Sequence, residues 1–92
     1  MADICKFKFE EDIKEDVIEE KIALAIITAE CTFGQAKVRL HAAYLALGNK
    51  AVIDVSSPVG EHIAQVFTGL MTREFGEGKF MLERINDNRR SA

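Results

Sequence analysis

A net charge of −3 spread over 92 residues describes one small domain, too acidic for general binding to nucleic acid or to anionic membranes. With 48% hydrophobic and 29% charged residues it has the composition of an ordinary globular protein. The absence of tryptophan and the presence of six phenylalanines imply an aliphatic core with a few aromatic anchors.

The charge is divided unevenly. Residues 1–30 carry −5 and residues 31–92 carry +2, which permits head-to-tail contacts or a basic partner. The opening MADICKFKFEED alternates in sign and has no apolar core of a secretory signal. The most apolar run, Ile22 to Ala29, is too short to span a bilayer. Cys5 and Cys31 match no metal or redox spacing. These features predict a cytoplasmic protein off the membrane, its thiols buried as small apolar groups.

In chain order, Ile4 to Glu10 alternates, with Cys5, Phe7 and Phe9 on one face against Lys6, Lys8 and Glu10 on the other. This is the pattern of a half-buried strand. Glu11 to Thr32 predicts a helix whose acidic opening suits the positive end of the macrodipole. Ile18, Ile22, Ala25, Ile26 and Ala29 make its core stripe. A second apolar stripe, Ala23, Leu24, Ile27 and Cys31, calls for cover from the neighbouring helix or a second copy of the chain.

Residues 36–47 support two readings. Ala36, Val38, Leu40 and Ala42 alternate against Lys37, Arg39 and His41, as in a strand; Ala36, Leu40, Ala43, Tyr44 and Leu47 also keep helical spacing. The Gly48-Asn49 pair before the β-rich run 51–55 signals a two-residue hairpin and favours the strand. Next comes a long helix, capped by Ser57 with Pro58 at its first position. Val59, Ile63, Val66, Phe67, Leu70 and Met71 lie on one face, and Gly76 stops it. Phe80 to Ile85 predicts a last strand, and residues 87–92 a flexible tail on a single domain spanning 1–86.

The resulting order, βαββαβ, predicts an α+β sandwich of ferredoxin-like, split βαβ plan: a four-stranded antiparallel sheet with two helices on one face. A helical 36–47 would instead give βααβαβ, with a helix–turn–helix around Gly34.

No motif commits the chain to an enzymatic reaction. Ser56, Ser57 and Gly60 open a helix whose free N–H groups suit an anion, although the cap, Pro58 and Glu61 compete for that role. His41 and His62 keep no ligand spacing with each other, so neither metal nor cofactor is expected. Lys37, Arg39 and His41 would give a basic β-edge for nucleic acid, a disfavoured partner because Phe7 and Phe9 face away from the lysines. The same three residues, with Gln35, would sit on a recognition helix in the alternative fold.

On the second long helix His62, Gln65, Gly69 and Arg73 fall opposite the core, and a glycine there would let another backbone approach. The expectation is thus a non-enzymatic module that acts by contact with itself or another protein. Leu24, Ile27, Cys31, His62, Gln65, Gly69 and Arg73 form its candidate surface.

Overall fold

The computed structural model describes residues 3–86, so the 87–92 tail lies outside the described residues. Seven principal elements follow in order: strand β1 (Asp3–Phe9), helices α1 (Glu15–Phe33) and α2 (Gln35–His41), strands β2 (Tyr44–Leu47) and β3 (Lys50–Asp54), helix α3 (Pro58–Phe75) and strand β4 (Phe80–Asn86). A single 3-10 turn at Glu77–Lys79 leads into β4. The chain is a small α+β domain with a four-stranded antiparallel sheet ordered β2-β3-β1-β4 and three helices.

One expectation is corrected here. Residues 36–42 are not a strand. Gln35–His41 form α2, and only Tyr44–Leu47 extend as β2. The helix layer therefore holds three helices instead of two, and the order is βααββαβ. The two readings had been exclusive only because both assigned the whole of 36–47 to one element. Gly34 allows the split: its φ of 91° is a backbone conformation that L side chains rarely adopt, and it turns the chain between α1 and α2. Val38, the one buried residue of α2, pins that short helix to the core.

The first helix also starts later than its acidic residues suggested. Residues 10–13 form a turn closed by the Ile13 N–H donating to the Glu10 carbonyl at 3.0 Å. Asp12 sits in this turn, while Glu15 and Asp16 occupy the first helical turn.

The core lies between the helices and one face of the sheet. β1 sends Cys5, Phe7 and Phe9 inward, and α1 meets them with Ile18, Ile22, Ala25 and Ala29, all fully buried at four- and three-residue spacing. α3 contributes Val59, Ile63, Phe67 and Met71. Phe67 is the centre: its ring stands edge-on to Phe7 at 4.9 Å and to Phe9 at 5.9 Å, the arrangement the ring quadrupoles favour. Full burial of a side chain this size contributes about 1.5–3 kcal/mol.

The hairpin turn is tied to the rest of the fold at two points. The Gly48 N–H donates to Glu15 Oε1 at 2.9 Å, and the Asn49 side-chain amide donates to the Phe9 carbonyl at 2.7 Å. These bonds hold the β2–β3 turn against the first turn of α1 and the end of β1.

Candidate interaction surface

The helices cover one face of the sheet. The other carries no element of this chain among the described residues, and the strand register assigns its side chains. At one end Asp54, Ile4 and Ile85 lie side by side. The middle row is Leu45, Val52, Lys6 and Glu83, and the far row Leu47, Lys50, Lys8 and Met81. Leu45 is 62% exposed, Leu47 69% and Met81 75%. A depression of about 470 Å³ sits among Lys6, Lys8, Lys50, Val52, Met81 and Glu83.

The pairing sharpens the electrostatics of this face. The Phe9 N–H donates to the Asn49 carbonyl at 2.8 Å and the Val55 N–H to the Asp3 carbonyl at 2.8 Å. Positions 4, 6 and 8 are therefore the non-hydrogen-bonded pairs with β3, where side chains approach most closely. Lys8 directly opposes Lys50 in such a pair, and like charges so placed are destabilising. No ion pair relieves either lysine among the described residues. Asp54, at the opposite end, is held in place: its Oδ1 accepts from the Ser56 N–H at 2.8 Å and from the Ser56 hydroxyl.

The residues singled out from sequence do not gather into one site. Lys37, Arg39 and His41 lie on α2, in the helix layer, and not on a sheet edge. Lys37 stands over the Phe33 ring at 5.9 Å, and the lysines of β1 point to the far side of the sheet. Cys31, expected to be buried, is exposed. Leu24 and Ile27 are 41% and 53% exposed, so α3 does not cover the second stripe of α1.

His62 leaves the surface row expected for it. It is half-buried against α1, edge-on to Phe33 at 5.6 Å, with Nε2 3.2 Å from the Thr28 hydroxyl. That hydroxyl also donates to the Ala25 carbonyl at 2.7 Å. Gln65 lies instead beside β4, and Gly69 and Arg73 are exposed with no atom near enough to touch a Cβ at position 69.

At the start of α3, Ser57 caps the helix by accepting from the Gly60 N–H at 3.1 Å. Gly60 makes room for backbone, not for an anion: a Cβ there would lie 1.9 Å from the Asp54 carbonyl oxygen. Ser56 is engaged with Asp54. All three residues of that candidate site thus have a structural task.

A second groove of about 310 Å³ runs between α3 and β4, with Cys5, Ala64, Gln65, Thr68, Leu82 and Arg84 among its walls. Arg84 reaches Glu61 at 3.1 Å and Asp3 at 3.5 Å at its rim. Burial pushes the Cys5 thiol up from its ordinary value, which keeps it protonated and unreactive. No cluster of three or more metal-binding side chains occurs, and no helix is long and apolar enough to cross a membrane, among the described residues.

Sequence reasoning missed the open sheet face. Its signal was present: Tyr44-Leu45-Ala46-Leu47 and Phe80-Met81-Leu82 are apolar at every position, where a strand covered on one side would alternate. Compared with known proteins, the chain matches no family model and no curated protein.

Proposed function

We propose that this chain is a non-enzymatic interaction module of ferredoxin-like plan that docks through the uncovered face of its sheet. The strand order, with every pairing antiparallel, supports that plan, α2 being an addition between the first crossover helix and β2. One observation carries the functional reading: Leu45, Leu47 and Met81, 62%, 69% and 75% exposed, share a single face with Ile4, Val52 and Ile85. Large apolar side chains left exposed together on one face, here interleaved with Lys6, Lys8, Lys50 and Glu83, mark a site where another molecule sits. Two unpaired thiols fit a reducing, cytoplasmic setting.

A nucleic-acid regulator built on α1, Gly34 and α2 has less support. Seven residues make a helix of about 10 Å, and the helix before it opens on carboxylates that repel phosphate.

A photo-crosslinking residue at position 47 or 81, with position 39 of α2 as control, tests the docking reading in cells. Adducts from 47 and 81 and none from 39 are expected. Adducts from 39 alone, or none from either sheet position, would refute it.

A further inference from the structure

We infer that the occupant of the open face is a second copy of this chain, packed sheet to sheet about a two-fold axis that crosses the strands. The inference rests on the docking reading and adds the partner and its orientation.

The argument is the distribution of charge along the face. One end carries the carboxylate of Asp54; the other carries the opposed ammonium groups of Lys8 and Lys50. A two-fold axis parallel to the strands would lay the Lys50 of each copy on the Lys8 of the other, bringing four lysines together. An axis across the strands exchanges the two ends. Lys50 then meets Asp54 of the second copy, twice by symmetry, and Met81 meets its Ile85. All four residues of the middle row, Leu45, Val52, Lys6 and Glu83, meet their own counterparts, and because Lys6 and Glu83 stand side by side each Lys6 also has the second copy's Glu83 as a neighbour. Of the two orientations this is the one that pairs opposite charges end to end, and Lys50 of the opposed Lys8–Lys50 pair finds its counter-charge while Lys8 lies over Ile4. Ser56 holds one oxygen of Asp54, leaving Oδ2 for the approaching lysine.

Four strands span about 19 Å and five residues about 17 Å, a footprint of about 320 Å² per copy, which is below the area of stable interfaces and makes this a weak, transient contact. The dimer is accordingly reversible and separates on dilution.

Sedimentation velocity across a wide concentration range, on the wild type and on Lys50→Asp, Asp54→Lys and the double exchange, tests the arrangement. The wild type should pass from monomer to dimer. Each single charge reversal places two like pairs across the interface and should weaken association about tenfold, and the double exchange should restore it to within about threefold. If either reversal fails to fold by circular dichroism, Lys50→Gln and Asp54→Asn replace them, each expected to weaken association about threefold.

A wild type that stays monomeric, singles that leave the dimer unchanged, or a double exchange that does not recover would overturn the inference. The crosslinking separates this from failure of the docking reading. A monomeric chain with adducts from position 47 to a different polypeptide removes the second copy and keeps the docking face; no adducts from 47 or 81 removes both.

Discussion

Gly60 and Gly69 stand in the same helix, and replacing each with alanine should move stability in opposite directions. At Gly60 the added Cβ would lie 1.9 Å from the Asp54 carbonyl oxygen and 3.2 Å from the Val55 Cα. The obstacle is backbone at the end of β3, which cannot rotate aside. The first turn of α3 would have to retreat by more than about 1 Å, dragging Val59 and Ile63 out of the core; overpacking on this scale costs about 1–3 kcal/mol. Alanine's better helix propensity returns at most about 1 kcal/mol, so a net loss of about 1 kcal/mol is expected. For a domain of this size that lowers Tm by about 4–8 °C.

At Gly69 nothing lies within 4 Å of the same added atom, and only the propensity gain remains, about 0.5–1 kcal/mol. Denaturant unfolding followed by circular dichroism measures both, with the slope checked for constancy. Gly60→Ala at or above wild-type stability, or Gly69→Ala below it, would refute the reasoning. Because the proposed dimer uses the opposite side of the molecule, Gly69→Ala should also leave sedimentation unchanged.

Two further outcomes follow from the side-chain environments. A maleimide reagent should label Cys31 rapidly in the folded protein and Cys5 only after unfolding, since Cys31 is exposed while Cys5 is buried and its thiol pushed up by desolvation; Cys31→Ser should abolish native labelling. The hydrogen bond from Lys79, 2.9 Å away, holds the Asp12 carboxyl below its ordinary value. A folded value below the unfolded one means that the pair adds stability above the unfolded aspartate range and loses it as pH falls through the folded value. Lys79→Met should therefore raise the Asp12 midpoint in an NMR titration and remove that acid-side dependence.

How much of this was legible in the chain depended on whether a segment had one structural period or two. β1 had one: Cys5, Phe7 and Phe9 alternate with charged residues, and they point where the alternation sends them. α3 had one as well, with Ser57 and Gly76 marking its ends. Residues 36–42 had two, because Ala36 and Leu40 satisfy both the period-2 and the helical spacing. There the backbone decided: Gly34 turns the chain sharply enough for a helix of about two turns, and Val38 is buried on it. Cys31 was misplaced for a different reason. Its stripe on α1 is as apolar as the packed one, but a helix on one side of a sheet has a flank that only a further element could cover, and α3 does not reach it.

The same reasoning applied to β2 and β4 leads to the docking surface. A strand that is apolar at every position has two apolar faces, and the helices of this fold can cover only one. Leucine at 45 and 47 and methionine at 81 gain nothing by facing water, whereas a charged residue at any of the three would keep every internal contact and discourage association. Lys50 discourages it only in part, because Asp54 sits at the far end of the same strand to receive it, and Lys6 stands beside Glu83. A face meant to stay in water would not leave leucines exposed; with Lys6 beside Glu83 in the middle row, the lysines at one end and Asp54 at the other give the end-to-end asymmetry that a self-complementary contact uses.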